Sequence, residues 1–550
     1  MMVKGEPLKG IYYLIAFLLI CFTAFPVLSI FLYGIFPLPE KWEMGKQIVR
    51  SLPYLRNSFL IAGIVTPVAV LIGLSASLTI HRFHSRLHEI FRLILLLSII
   101  HPPFVGSISF IMLFGRRGLI THGLLHLDVS PYGWQGIALM QFLGMGAMAY
   151  LIISSSVEKA DPLIEEAARN LGVSELKIFW DITLRSMYPE ISSAAILVFL
   201  ASMADFGTPL IIGGAFQTLA SDLYIQITGL YDMKSAAVSG ILLLVPCLAL
   251  FAYQRKINRK KAYYAMALSG GTIEYRHYNP IVKFSVTSLT FLYCLFILLK
   301  YGFILIGAFT EHWGYDYSLT LRHFIKVFDT DLSPFANSIQ LAFFTALISS
   351  GMGIFLSYIV KRKKWAFTMV SDVLATLPAA VPGILLGIGY LVTFKYPILG
   401  IGRFILKDQP PLILLGTGII IYIICIFRYM NIGLRTGYAL MEHINPNIEE
   451  AARNLGQSEN RIFSGIVMPL LSPAFRTSFF KIFSTTMTTL GAIIFLLLPS
   501  NKVAVQTIFQ TITGSERGVA AAMALLLSLA TAVMLGFFYL ISVIITKRRV

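Results

Sequence analysis

The side chains best suited to specific polar contacts lie in one eight-residue string, Glu-Glu-Ala-Ala-Arg-Asn-Leu-Gly, that occurs at 165–172 and again at 449–456. Its carboxylates and arginine can form directional ion pairs and hydrogen bonds, and its paired alanines allow another surface to approach closely. The residues predicted to contact that surface are Glu165, Glu166, Ala167, Ala168 and Gly172 in one copy and Glu449, Glu450, Ala451, Ala452 and Gly456 in the other.

Each copy is predicted to form a short helix that ends at its glycine and is followed by a second helix. An Asp-Pro or Asn-Pro pair opens each copy, and proline at the first helical position loses no hydrogen bond. Glycine at the end suits the left-handed residue that stops many helices. We call these helix–Gly–helix segments the first elbow (161–180) and the second elbow (445–464); their leading helices are expected near 161–172 and 445–456.

The repeat extends beyond this string. The two copies lie 284 residues apart, about half of the 550-residue chain, and Asn57-Ser58 is matched by Asn337-Ser338. An internal repeat of this kind indicates two structurally similar halves. Because six predicted spans separate corresponding points, both halves should have the same orientation in the membrane, related by an axis along the membrane normal. The alternative for the string alone is an interfacial amphipathic helix copied by duplication.

A second candidate site is the segment Ala204-Asp-Phe-Gly-Thr-Pro209, which falls in a predicted span. A carboxylate in a membrane should face the protein interior or water. Asp205 and Thr208 are therefore candidate pathway residues, or else Asp205 only holds a helix bend by hydrogen bonding to a neighbouring span. The segment's repeat counterparts, Thr488 and Thr489, are candidates as well. The prolines that could act as hinges, or serve packing alone, are Pro209, Pro102 and Pro378.

Several kinds of chemistry have no supporting motif. The Gly-x-x-x-x-Gly-Lys-Ser/Thr phosphate loop is absent, so ATP and Mg²⁺ are expected to be bound by partner subunits rather than by this chain. No nucleophile–base pair and no confident metal site is discernible, so the chain is predicted not to be an enzyme. His101 is expected to be a buried structural histidine, because a single histidine without nearby carboxylates or thiols is poor evidence for a metal.

The composition indicates what positions these residues. With 57% hydrophobic and 13% charged residues, the chain is predicted to be an all-α polytopic membrane protein. Runs of membrane-spanning length predict about twelve helices in two sets of six. The predicted spans are 11–36, 57–80, 91–114, 133–155, 189–214 and 236–254, then 281–309, 337–360, 372–394, 411–432, 473–498 and 519–546.

The charges predict the orientation. The net charge of +17 is interpreted as loop charge that sets topology and not as a nucleic-acid surface. Basic clusters follow the sixth, eighth and last spans, which places both termini and both elbows in the cytoplasm. The predicted domains are a first repeat at 1–257, a cytoplasmic linker at 258–280 and a second repeat at 281–550.

The repeated string resembles the cytoplasmic loop of permease subunits of ABC importers, which has Glu-Ala-Ala, three residues, Gly, nine residues and Ile-x-Leu-Pro. The second copy fits as far as Pro469, whereas Arg185 replaces that proline in the first. The resemblance covers the whole chain as two fused domains of the type I importer fold. It implies that each elbow is a coupling helix bound by one of two ATP-binding cassette subunits, and that an extracytoplasmic binding protein delivers the substrate.

The finer resemblance is to ferric-iron permeases of the bacterial inner membrane, which implies iron as substrate. Thiamine, polyamine and phosphonate permeases are related alternatives. A rival from another class is an ion-coupled secondary transporter, which would need embedded ionisable relays and would leave the elbows unexplained. A third alternative is a membrane scaffold that transports nothing.

Overall fold

The computed structural model describes residues 7–36, 44–83, 87–98, 104–127, 130–157, 162–265, 280–363, 365–395, 414–514 and 516–547. Within these ranges the protein is built almost entirely from helices, as the sequence predicts. The long apolar helices pack side by side because each buries a stripe of side chains against its neighbours.

The described residues of the first half contain ten helices. They are α1 (Pro7–Ile35), α2 (Met44–His81), α3 (His88–Leu97), α4 (Val105–Phe114), α5 (Trp134–Val157), α6 (Pro162–Asn170), α7 (Glu175–Ala204), α8 (Gly207–Ile212), α9 (Leu219–Thr228) and α10 (Met233–Ala265). A π-helical turn, Leu119–Leu124, lies between α4 and α5.

The second half repeats this order and adds a hairpin. Its elements are α11 (Pro280–Ala308), β1 (Thr310–His312), β2 (Asp316–Leu319), α12 (Arg322–Asp329), α13 (Ser333–Arg362), α14 (Thr368–Ala380), α15 (Gly383–Lys395), α16 (Ile419–Met441), α17 (Asn447–Asn454), α18 (Glu459–Leu470), α19 (Ser472–Met487), α20 (Ala504–Thr513) and α21 (Arg517–Lys547). The two strands pair antiparallel, and a 3₁₀ turn, Pro499–Asn501, precedes α20.

The predicted spans are mostly confirmed, with corrections at their ends. In the described residues nine helices are long and apolar enough to cross a membrane, or eleven if each of two bent helix pairs is one span. The predicted span 91–114 corresponds to α3 and α4, and residues 99–103 between them lie outside the described ranges. The predicted loop 37–56 is wrong from Met44 onward, since α2 begins there.

Helix ends bear on two other predicted boundaries. The segment 258–280 stays a predicted linker: α10 continues to Ala265, and 266–279 lie outside the described residues. The predicted span 411–432 is shifted, because α16 runs from Ile419 to Met441. Hydropathy marks the apolar part of a helix, and these helices extend past it into polar residues.

The internal repeat is confirmed by matching contacts in the two halves. Asn57 donates a hydrogen bond from Nδ2 to the carbonyl of Gln217 at 2.8 Å, and Asn337 does the same to Lys502 at 3.0 Å. The adjacent hydroxyl, Ser58 or Ser338, accepts from the first amide of α9 or α20 at 2.9 Å. Each half therefore ties the start of a short helix, α9 or α20, to a long helix, α2 or α13, by the same pair of polar side chains.

Close helix packing also recurs. A Cβ on Gly73 of α2 would lie 2.6 Å from the amide nitrogen of Tyr150, and one on Gly353 of α13 would lie 2.5 Å from the carbonyl oxygen of Met430. Such glycines let two helix backbones approach without a side chain between them. The pairs α2–α5 and α13–α16 thus form the same tight crossing in each half.

Candidate functional site

Both elbows have the predicted helix–Gly–helix structure. Gly172 and Gly456 adopt the left-handed conformation, with φ of 77° and 78°. The residue after each glycine donates its amide to the carbonyl of the second alanine, Ala168 or Ala452, at 3.1 Å. These bonds satisfy carbonyls that a helix end otherwise leaves without partners. Asp161, the predicted cap of the first elbow, lies outside the described residues.

A buried ion pair attaches the first elbow to the end of α2. Glu165 Oε1 lies 2.7 Å from Arg82 Nη1, and the two side chains are only 6% and 1% exposed. Thr183 donates its hydroxyl to the same carboxylate oxygen at 2.6 Å. Because a buried charge is costly without a partner, this carboxylate and this guanidinium hold each other in place.

The second elbow is attached to α13 in the same way. Glu449 Oε1 accepts a hydrogen bond from Arg362 Nε at 3.0 Å, and Tyr358 donates to the other carboxylate oxygen at 3.3 Å. Arg362 also donates to the carbonyl of Ile444 at 2.6 Å. Arg82 and Arg362 are separated by the same 280 positions as Asn57 and Asn337, so the two ion pairs are equivalent contacts of the repeat.

A second ion pair closes each elbow on itself. The arginine of the repeated string reaches the glutamate that opens the next helix: Arg169 Nε lies 2.6 Å from Glu175 Oε1, and Arg453 Nε lies 2.7 Å from Glu459 Oε1. The hydrogen bond to Glu459 raises the pKa of the Arg453 guanidinium above its ordinary value. The angle between the two helices of each elbow is therefore held by charge as well as by the glycine.

The string divides into an inner and an outer face. Glu165, Glu449 and Ala452 are buried, so these members of the predicted contacting surface face this chain rather than outward. Glu166, Ala167, Gly172, Glu450, Ala451 and Gly456 are exposed. Leu171 and Leu455 are 83% and 81% exposed, which is unusual for large apolar side chains at equivalent positions. Sequence reasoning did not select these leucines, although both lie within the repeated string.

Asp205 lies at a break in the helix, as its neighbours predict. α7 ends at Ala204, and Asp205 Oδ1 accepts the amides of Gly207 and Thr208 at 3.0 and 3.1 Å, which caps the start of α8. Its Oδ2 accepts from Gln141 Nε2 of α5 at 3.0 Å. Both carboxylate oxygens therefore have donors within the protein, which favours the interpretation that Asp205 holds a bend by bonding to a neighbouring span.

Asp205 also lines a cavity of about 280 Å³ together with Thr488 and Thr489 of the second half. We call this the inter-half cavity; Arg428 of α16 and Gly383 of α15 line it too. Three predicted pathway residues are thus brought together. Thr208 is not among them, since it lines a separate cavity of about 250 Å³ with Gln141, Lys300 and the other face of Asp205.

The second half breaks its helix at the equivalent point without an aspartate or a proline. α19 ends at Met487, and residues 488–498 form turns instead of continuing the predicted span 473–498. Thr489, the counterpart of Asp205, accepts a hydrogen bond to its Oγ1 from the Tyr429 hydroxyl at 2.7 Å. Each half therefore ties its helix break to the neighbouring long helix, by Gln141 in one half and by Tyr429 in the other.

Aromatic rings from both halves pack beside the inter-half cavity. Phe206 lies 5.7 Å from Tyr224 and 6.4 Å from Phe509, centroid to centroid, and Tyr224 lies 6.2 Å from Phe495. Phe104 lies 5.1 Å from Phe509 and lines the cavity with Phe206. This aromatic cluster joins the two halves by apolar contact next to polar side chains.

The candidate hinge prolines are placed beside the helix breaks and not at them. Pro209 lies inside α8, after the break at Asp205. Pro378 lies in the last turn of α14, and the 113° bend between α14 and α15 follows it at Val381-Pro382. Pro102 lies outside the described residues. In the described part of the chain no three His, Cys, Asp or Glu side chains are grouped to hold a metal.

The fold and these sites define a multi-pass helical membrane protein with two equivalent elbows and a polar cavity between duplicated halves. The chain belongs to the family of binding-protein-dependent transport system inner membrane components, whose model matches residues 69–263 and 349–549. Each matched region contains one elbow and the helices that hold it.

The chain is also similar to individual members of this family. It is 29% identical to the ferric transport system permease protein FbpB of Actinobacillus pleuropneumoniae over 98% of this chain and 79% of that protein. It is 29% identical to a putative ferric transport system permease protein FbpB of Haemophilus influenzae over 89% of this chain and 78% of that protein. A molybdenum transport system permease, ModB of Mycobacterium bovis, is 31% identical over 33% of this chain and 69% of its own length.

Proposed function

We propose that this chain is the membrane-spanning permease subunit of an ATP-driven importer of ferric iron, and that each elbow binds one ATP-binding subunit. The observation that carries the proposal is the equivalence of the elbows. Each has the same exposed glutamate, alanine and leucine on its outer face and the same buried ion pair on its inner face. Two equal surfaces suit two equal partners.

The inner ion pairs explain how force on an elbow would reach the membrane. A partner that binds Leu171 and Glu166 moves a short helix whose buried Glu165 is bonded to the end of α2. The second elbow acts on α13 through Glu449 and Arg362. Because α2 and α13 carry the tight crossings with α5 and α16, movement of the elbows would change the packing around the inter-half cavity.

Partners supply the remaining parts of the mechanism. ATP and Mg²⁺ are bound by the two ATP-binding subunits, and an extracytoplasmic binding protein releases the substrate into the inter-half cavity. Both elbows and both termini lie on the cytoplasmic side of a bacterial inner membrane. This chain contributes the substrate path and the two elbows, and its partners hydrolyse ATP and capture the substrate.

Iron is favoured as the substrate because two relatives matched over nearly the whole chain carry names of ferric systems. A second candidate is an oxyanion such as molybdate, since a molybdenum permease is similar over 33% of this chain. Thiamine, polyamines and phosphonates are further alternatives within the same machinery.

The test is uptake into vesicles that contain the complete complex with its binding protein. Labelled iron should accumulate only with internal ATP, and collapse of the proton gradient should leave the rate unchanged. Uptake that survives ATP depletion and stops when the gradient collapses would instead identify a secondary transporter. Labelled molybdate and thiamine in parallel vesicles would decide between substrates.

A further inference from the structure

The inter-half cavity contains an arginine that neither the repeat nor the elbow mechanism explains. Arg428 lies in the middle of α16 and lines the cavity with Asp205, Thr488 and Thr489. A guanidinium within a membrane-spanning helix is costly and is expected to have a polar partner. The role of Arg428 therefore depends on which groups in or around the cavity bind its guanidinium.

The described residues leave part of this guanidinium without a hydrogen-bond partner. Arg428 Nη1 is buried and has no hydrogen-bond acceptor among the described residues. No carboxylate of the described part of the chain forms an ion pair with Arg428, and Asp205 uses its oxygens on Gln141 and on two backbone amides. The guanidinium lies beside the Tyr429 ring, 5.8 Å from its centroid, and this contact helps to hold its position.

The surroundings leave room for this guanidinium. A Cβ on Gly383 of α15 would lie 3.2 Å from Arg428 Nη2, so a larger residue there would press on the arginine. A hydroxyl group on the same cavity wall, that of Thr489, accepts from Tyr429 and can donate its own proton to an anionic oxygen, whereas the Thr488 hydroxyl donates to the carbonyl of Thr485 at 3.0 Å. A planar guanidinium with nearby hydroxyls is the arrangement proteins use to bind phosphate and carboxylate groups.

The charge is specific to one half. The residue 284 positions before Arg428 is Gly144, just as the counterpart of Asp205 is Thr489. Packing that is merely inherited from the repeat would not need an arginine at this point. Lys300 places a second cation on the other side of Asp205, in the separate cavity of the first half. Cations therefore outnumber carboxylates around the helix break.

We propose that the inter-half cavity contains a subsite for an anionic oxygen group, formed by Arg428 with the hydroxyl of Thr489. The inference rests on the proposed function, in which the substrate passes through this cavity, and it adds the chemical form in which the substrate crosses. A metal ion crosses as a complex that carries an anionic oxygen ligand, because a bare cation would be repelled by the guanidinium. An oxyanion that is itself the substrate would use the same subsite.

The first test measures binding of labelled inorganic phosphate to the purified chain in lipid nanodiscs, without any partner subunit. Wild-type protein should bind phosphate saturably, and Arg428→Gln should weaken binding at least tenfold. Arg435→Gln is the matched control, because it removes the same charge from the same helix at a residue that does not line the cavity. Arg428→Lys should retain part of the binding, since it keeps the charge and loses the planar fork.

Equal phosphate binding by wild type and Arg428→Gln would overturn the subsite. Binding that never saturates would also overturn it, because it would show an adventitious ion only. This outcome is independent of the proposed importer function, because no ATPase takes part. A second arm uses the complete complex with labelled iron citrate or labelled molybdate. If Arg428→Gln loses uptake of one of these substrates, the subsite is supported and that substrate carries the anionic group. If Arg428→Gln takes up the transported substrate at the wild-type rate, the subsite is contradicted.

Discussion

Arg82 Nη1 and Glu165 Oε1 lie 2.7 Å apart at the junction of the longest helix of the first half with its elbow, and both side chains are buried. The same relationship joins Arg362 and Glu449 in the second half. The repeated string therefore serves two purposes. Its first glutamate anchors the elbow to the membrane helices, and its second glutamate and its leucine remain available to a partner.

Removing the anchor should loosen the first elbow. Arg82→Gln leaves Glu165 buried with a weakened partner set, which costs about 3–5 kcal/mol for a broken buried pair. Hydrogen–deuterium exchange of residues 162–180 should become faster, and transport should fall while the spans remain folded. Arg461→Gln, which removes an exposed cation of the second elbow, is the control and should change neither.

The equivalent change in the second half should be milder. Each glutamate keeps a hydroxyl donor after loss of its arginine in Arg82→Gln or Arg362→Gln, Thr183 for Glu165 and Tyr358 for Glu449. Glu449 also keeps a cation, Arg453 at 3.8 Å, whereas among the described residues Glu165 has no second cation within ion-pairing distance. The exchange rate of residues 447–464 should therefore rise less than that of 162–180 in Arg82→Gln. A larger effect in the second elbow would contradict the prediction, because it would show that the number of remaining partners does not decide how firmly an elbow is held.

Gly456 offers a test that separates backbone strain from loss of the contact surface. A Cβ at this position meets nothing within 4 Å, but φ is 78°. Gly456→Val should cost roughly 1–2 kcal/mol because a β-branched residue avoids this conformation, and it should reduce ATPase binding and coupling. Gly456→Asn tolerates the conformation better and should keep the elbow's exchange pattern. If valine leaves ATPase binding and transport normal, the docking role of this elbow is refuted.

Asp205 should tolerate an amide better than an alanine. Asp205→Asn can still accept the amides of Gly207 and Thr208 but loses the charge that lines the inter-half cavity. Uptake should fall while the complex assembles normally. Asp205→Ala also removes the cap of α8, at a cost of about 0.5–2 kcal/mol, and should lower the thermal stability. Unchanged uptake kinetics in Asp205→Asn would leave only the structural role.

Two glycines of α13 form a matched pair for testing the tight crossing. A Cβ on Gly353 would lie 2.5 Å from the Met430 carbonyl oxygen, whereas one on Gly351 meets nothing within 4 Å. Gly353→Ala should lower the melting temperature of the purified protein. Gly351→Ala should leave it unchanged or raise it, because alanine favours a helix by about 0.5–1 kcal/mol over glycine. Equal effects would mean that the two helices do not cross as described.

The sequence was sufficient for the features that depend on local pattern. The elbows follow from Pro162, Pro446, Gly172 and Gly456, and the halves follow from the repeated string. Helix ends were less predictable, since polar residues such as Lys46 and Arg50 extend α2 beyond its apolar run. The break after Met487 was missed because no proline or charge marks it.

Contacts between distant residues were largely beyond sequence reasoning. The contacts of Arg82 and Arg362 with the elbows depend on how the helices pack, which the sequence does not show, although the spacing of 280 between the two arginines matches that of Asn57 and Asn337. Arg428 is the exception, because an arginine within the predicted span 411–432 is a signal of function in the sequence itself.

The most direct test of the central claim is the stoichiometry of the complex, measured by native mass spectrometry after co-expression with the ATP-binding subunit of its transport system. Wild-type chain should carry two copies of that subunit. Replacing the exposed leucine of one elbow, as in Leu171→Asp, should weaken one site, and adding Leu455→Asp should abolish binding. Two copies bound to the double variant, or none bound to the wild type, would contradict the account.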